Sequence, residues 1–196
     1  MIIVLSQISH LTKTNRPRMK IQEQTYNRFI SQHQLIKNYI DNLPPKAINE
    51  RLSPNKRSIH ETIAFLCRYQ YVFMERLNVI LTDINPVFDR YDQTRDSEFN
   101  TTLARSTGAL LHEIYRMRHE IKLLIDKLSP EQCSRTGTHK KMGIMNISEW
   151  IEFFLLQESK YLYKIFKMAG AFGSQLNNNL NIKYPTKGIT SVSGQS

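Results

Sequence analysis

The sequence predicts an all-α fold, a four-helix bundle. Apolar residues recur at alternating three- and four-residue steps in four separate stretches, which keeps one face of a helix pointed at a core. Two of those stretches open with a capping-box pattern, Ser58 with Glu61 and Asn146 with Glu149. No segment alternates at period two long enough to suggest a sheet. At 196 residues, 40% hydrophobic and 22% charged, the chain suits one globular domain, and 7 glycines and 7 prolines exclude collagen-like or low-complexity classes.

The first 20 residues carry a five-residue apolar run with no basic region before it, a poor secretory signal. Residues 1–18 read as a basic, disordered tail, and Met19 stands just before the first bundle helix. In 22–43 the seam is Tyr26, Phe29, His33, Ile36, Ile40 and Leu43, and Pro44-Pro45 stops the helix. The second helix opens at Ser58 with the seam Ile59, Ile63, Leu66, Gln70, Phe73, Leu77 and Ile80; Phe65, Tyr69 and Val72 give it a second covered flank. Residues 85–97 form a long polar connection. The third helix, about 98–128, repeats Leu103, Thr107, Leu110, Ile114, Met117, Ile121 and Leu124 and ends at Ser129-Pro130. After a link holding Gly137 and Gly143, the fourth follows the cap Asn146 with the seam Ile147, Ile151, Phe154, Glu158, Tyr161, Ile165 and Met168. The bundle thus spans 19–169, and 170–196 reads as a polar, disordered tail. Long connections allow crossovers, so periodicity leaves the helix order open.

The net charge of +10 belongs mostly to the ends. Residues 1–20 hold four bases and 170–196 two, with no acid in either, so the body carries 21 bases against 17 acids. Such a modest excess is a solvated surface, and contact with nucleic acid or membrane is expected, if anywhere, only through residues 1–20. No apolar run reaches the roughly 18 residues of a membrane span. Two cysteines, Cys67 and Cys133, are too few for a disulfide scaffold, which favours a reducing, cytoplasmic setting. Nothing in the sequence opposes a homodimer.

The succession LSPNKRSIHETIAFL, NPVFDRYDQTRD and RMRHEIKLLIDKLSPEQCSRTGTHKKMGIMNISEWIEFFLLQESKYLYKI resembles the DinB-like superfamily of small four-helix bundles, unrelated to the DNA polymerase of that name. The resemblance covers 19–169. It implies an up-down-down-up bundle with a long crossover between helices two and three. It also implies a pocket between helices that in many relatives holds zinc or nickel, some relatives being thiol-dependent transferases or isomerases. The family's three metal-binding histidines fall here on Phe65, Gln157 and Tyr161, and a Trp common before the helix-two Ser is replaced by Arg57.

A catalytic zinc needs three protein ligands and an open position. Phe65 has no lone pair, the Gln157 amide oxygen is a poor ligand, and a phenol such as that of Tyr161 must first lose its proton. No cofactor is therefore expected. His60 lies about 140° around the helix from Phe65, His112 and His119 are too far apart for one ion, and His139 stands beside Lys140 and Lys141. His33 is the remaining candidate, and with Glu158 it defines the alternative: a divalent-metal-dependent thiol transferase or hydrolase of the DinB-like superfamily using replacement ligands. His33, Gln70, Gln157, Glu158 and Tyr161 lie near mid-helix and are expected to form a polar layer or pocket. Glu158 is expected to be buried against His33, Gln70 or an arginine such as Arg68 or Arg76. Phosphate loops, G-x-S-x-G, C-x-x-C and H-E-x-x-H are absent. Cys67 reads as packing, and Cys133 as freer but without a neighbouring base. The expected function is a non-catalytic bundle that binds a small polar ligand or a partner.

Overall fold

The computed structural model describes residues 21–179; the expectations for residues 1–18 and 180–196 lie outside the described residues. Its helices are α1 (Glu23–Ser31), α2 (Leu35–Ile40), α3 (Pro45–Asn49), α4 (Ile59–Thr82), α5 (Phe99–Leu103), α6 (Thr107–Asp126), α7 (Pro130–Cys133) and α8 (Ile147–Asn179). Three short strands join them: β1 (Val87–Phe88), β2 (Thr136–His139) and β3 (Gly143–Asn146).

Both predicted capping boxes form. The Ser58 hydroxyl accepts from Glu61 N at 3.1 Å while Ser58 N donates to the Glu61 carboxylate at 2.7 Å. Asn146 and Glu149 exchange the equivalent pair at 3.1 and 2.8 Å, so free N–H groups at both helix starts are satisfied. The seams then bury Phe29, Ile36, Ile63, Leu77, Ile80, Leu110, Ile121, Phe154 and Ile165 completely. Each such side chain contributes on the order of 1.5–3 kcal/mol through removal from water.

Contacts between side chains give the helix order. The first helical segment, α1 and α2 with the 3-10 turn Gln32–Gln34 between them, runs parallel to α8: Arg28 meets Glu152, Gln32 meets Leu155, and Tyr39 meets Phe166. It runs antiparallel to α6, with Tyr26 on Asp126 and His33 on Tyr115. α4 is antiparallel to α8, pairing Phe73 with Phe154 and Phe65 with Tyr161, and parallel to α6, pairing His60 with Thr107 and Tyr71 with Glu113. The bundle is therefore up-down-down-up. Two parallel neighbours require a connection as long as the bundle, and residues 83–106 supply it. Arg68 holds this crossover by a two-pronged pair to Asp96 at 2.8 and 3.0 Å, and Tyr91 donates to the same carboxylate at 2.7 Å.

Several boundaries differ from the sequence expectation. The first helix is interrupted by the 3-10 turn, and Pro45 starts α3 rather than only ending a helix, since a first-turn proline lacks an N–H that would be unpaired anyway. The third helix is two, because Ser106 caps α6 by accepting from Ala109 N at 3.2 Å. α8 continues past 169 to Asn179, carried by Phe172, which extends the Ile165–Met168 row and is 5% exposed. The connections also form a small sheet in the order β1-β2-β3, with β1 parallel and β3 antiparallel to β2. Gly143, at φ +83°, makes the β2–β3 turn. Gly137 lets β2 approach α4: a Cβ there would lie 2.8 Å from Ile80 Cγ1 and 2.9 Å from Phe88 Cε2. No helix among the described residues is long and apolar enough to cross a membrane.

Candidate functional site

The expected polar layer resolves into two places, because adjacent positions 157 and 158 on a helix differ by about 100°. Glu158 turns inward, while Gln157 and Tyr161, one turn apart, face a different gap.

Glu158 is completely buried and forms an ion pair with Arg118, which is 3% exposed. Its carboxylate also accepts from Gln32 Nε2 at 2.9 Å and from Gln70 Nε2 at 3.4 Å. Arg118 donates to Gln70 Oε1 at 3.3 Å and to the Phe29 carbonyl at 2.7 Å, and its guanidinium lies 4.6 and 4.8 Å from the Phe29 and Phe154 rings. Burial pushes Arg118 below its ordinary pKa, against the opposing pull of Glu158. The partner is thus Arg118, not Arg68 or Arg76. Arg68 is committed to Asp96, and Arg76 donates to the Asp89 carbonyl at 2.6 Å. His33 stands apart from this pair: its ring packs on Tyr115 at 4.9 Å, and its buried Nδ1 has no partner among the described residues. Burial, then the Arg118 charge, holds its imidazole down at about 3, so it is neutral at physiological pH.

Phe65, Gln157 and Tyr161 line a chamber of about 140 Å³ between α4, α8 and the crossover. The Phe65 and Tyr161 rings meet at 4.4 Å, Tyr91 and Tyr69 lie 5.4 and 6.0 Å from Phe65, and Phe153 adds a further aromatic wall. The charged lining groups are Arg76, Arg90 and Lys141, with His139 beside them and no Asp or Glu among the described lining residues. Arg57, in the place of the family Trp, donates to Gln93 and lays its guanidinium 4.4 Å from the Phe65 ring. A larger groove of about 880 Å³ shares Tyr161 with the chamber and is lined by Arg51, Lys56, Arg57, Lys164 and Lys167. Burial, then the neighbouring Lys160, Arg57 and Arg90, lowers the Lys164 pKa.

A family-model comparison matches the DinB superfamily over residues 28–159. This chain belongs to the DinB superfamily. Among solved structures, the chain is similar to YfiT from Bacillus subtilis, described as a probable metal-dependent hydrolase with an unusual four-helix bundle topology. The TM-score is 0.66 at 14% identity, covering 81% of this chain and 93% of that one. A comparison with curated proteins gives no match.

The superfamily implies a divalent metal, and the donor chemistry here does not fit one. At Phe65, Gln157 and Tyr161 a metal would meet a phenyl ring, an amide and a phenol, with guanidinium and ammonium groups around them. Among the described residues no group of three His, Cys, Asp or Glu side chains could hold an ion. The replacement set is not assembled either, since the Glu158 oxygens are taken by Arg118, Gln32 and Gln70. His60 bonds Thr107 and the Leu103 carbonyl, while His112 and His119 are exposed. Both cysteines are buried: Cys133 is 2% exposed, against the expectation that it is the freer one, because α7 folds it against the bundle. Burial raises the Cys67 thiol to about 11, well away from a reactive thiolate.

Sequence reasoning missed Arg118 and Gln32 as partners of Glu158, and Arg76, Tyr91 and His139 as chamber groups. A signal existed for two of them. Arg118 falls between Ile114 and Ile121 on the buried row of its helix, and Arg76 lies seven residues after Tyr69 on the same face of α4.

Proposed function

We propose that this chain is a DinB-superfamily bundle that has lost the family metal site and acts as a non-catalytic protein binding a small polar molecule in the chamber at that position. The observation that carries this reading is the convergence of Phe65, Gln157 and Tyr161 on one chamber, with two aromatic rings at 4.4 Å where relatives place imidazoles. A metal-activated water has no place to form among such groups. The chamber itself is retained, walled by aromatic rings and provided with polar groups, the general make-up of a small-molecule site.

Elemental analysis of the purified, dialysed protein tests the reading. Zinc, nickel, iron and manganese are each expected well below one atom per chain. Near one metal per chain, retained through dialysis and lost on His33→Ala, would overturn it in favour of the metal-dependent thiol transferase or hydrolase with replacement ligands; YfiT is described as a probable metal-dependent hydrolase.

A further inference from the structure

The charged groups of the chamber have the wrong sign for a cation and the right one for an anion. Arg76 and Arg118 are the two arginines below a tenth exposed among the described residues. Arg118 has Glu158; Arg76 has no carboxylate in ion-pair contact among the described residues. Its guanidinium lies 5.6 Å from each of the Phe88 and Trp150 rings and spends one of its five N–H donors on the Asp89 carbonyl. A buried charge without a carboxylate in direct contact is costly, and burial pulls the Arg76 pKa down against the opposing pull of Tyr69, Glu75 and Asp89.

His139 adds a neutral donor. It is 4% exposed, and its Nδ1 accepts the backbone N–H groups of Lys141 at 3.1 Å and Met142 at 3.3 Å. Those two bonds assign the ring proton to Nε2, making that nitrogen a donor. Neither Nε2 nor the hydroxyls of Tyr69 and Tyr161 has a hydrogen-bond partner among the described residues. Of the acids around the chamber, Asp89 pairs with Lys140 at 2.8 Å, Asp96 is held by Arg68 and Tyr91, and Glu75, the exposed residue before Arg76 on α4, lies outside the chamber lining. A volume of about 140 Å³, several times the roughly 30 Å³ share of a water molecule, accepts a single flat ring with its substituent.

We infer that the chamber binds a small aromatic oxyanion, its carboxylate or phosphate group taken by Arg76 and His139 and its ring held among Phe65, Tyr69 and Tyr161. A guanidinium matches the planar fork of an oxyanion, and aromatic walls favour a flat apolar body. Arg90 and Lys141 at the exposed edge draw the anion in. The assignment rests on the proposed reading of the chamber as a ligand pocket without metal.

Calorimetric titration of the full chain with benzoate and with phenyl phosphate tests it, with benzyl alcohol and benzylamine as neutral and cationic probes of similar size. Metal content is measured on the same sample. At least one oxyanion is expected to bind at one site per chain, at least about tenfold more tightly than either control, and the tighter of the two identifies the group recognised. Arg76→Gln should weaken that binding by at least about tenfold. Should Arg76→Gln fail to fold, Gln157→Glu is the decisive variant: it changes a half-buried side chain without hydrogen-bonded partners among the described residues, keeps its shape and adds a charge of the oxyanion's own sign to the chamber lining. Benzylamine binding as tightly as benzoate, or oxyanion affinity unchanged by Gln157→Glu, overturns the inference. Metal-free protein that binds neither oxyanion also overturns it and leaves the reading of metal loss standing, whereas one metal per chain removes both.

Discussion

Replacing Glu158 by Ala leaves Arg118, 3% exposed, without its carboxylate. Breaking a buried ion pair from one side costs about 3–5 kcal/mol. The Phe29 carbonyl at 2.7 Å and the rings at 4.6 and 4.8 Å still hold the guanidinium, so the lower half of that range is expected, about 3 kcal/mol. Glu158→Gln retains the shape and the bond from Gln32 and should cost roughly 2 kcal/mol. Arg118→Met combined with Glu158→Leu removes both charges together and should lie within about 1 kcal/mol of the parent. Glu120→Ala, at an exposed position of α6, should change stability by less than about 0.5 kcal/mol. Urea unfolding at pH 7 followed by circular dichroism reads all four, an unchanged slope showing that stability alone has moved. Glu158→Ala as stable as Glu120→Ala, or an Arg118→Met with Glu158→Leu variant that costs as much as Glu158→Ala, would refute the buried pair.

Three further outcomes follow from the same geometry. The unfolded chain protonates His33 near its ordinary 6.5 and the folded chain only near 3, so the stability gained by keeping it neutral is full above 6.5 and lost as pH falls through that window. Between pH 7 and pH 5 the loss is about 2 kcal/mol, and urea midpoints of His33→Leu should lack this component. The triple variant Phe65→His, Gln157→His and Tyr161→His should gain about one dialysis-resistant zinc per chain by elemental analysis, because the three positions line one chamber. Gly137→Ala drives a methyl to 2.8 Å from Ile80 Cγ1 and should cost about 1–3 kcal/mol in urea unfolding.

Features that depend on neighbours in sequence were legible there. Ser58 with Glu61, and Asn146 with Glu149, satisfy N–H groups three residues away, so the motif carries its own geometry. Gln70 and Glu158 were legible as polar interruptions of apolar rows. Their partner was harder to single out: Arg118 lies on the row of Ile114 and Ile121, but Met117 fits the inner face of α6 equally, and the packed structure shows that both turn inward. Gln157 and Glu158 were grouped by height along the helix, while their chemistry is decided by rotation around it. The sheet escaped because strands of two and four residues are too short for alternation to register. Tyr91 and His139 come from connections, whose course is set by tertiary contacts rather than by any period.

The order of the helices also decides when the first of them can find shelter as the chain is made. Tyr39 lies on Phe166 and Gln32 on the Leu155 carbonyl, so the apolar face of α1 and α2 is completed by residues synthesised more than a hundred positions later. α4, the next long helix to emerge, touches that face where Phe73 meets Phe29, ring centres 6.5 Å apart, and Tyr115 and Arg118 on α6 add the next docking surface. At translation rates of about 5–20 residues per second, the interval between Tyr39 and Phe166 is roughly 6 to 25 seconds. Throughout it Phe29, Ile36 and Ile40 remain uncovered by α8. Chaperone binding to nascent chains should therefore concentrate on this first segment, and it should fade once α8 clears the ribosome.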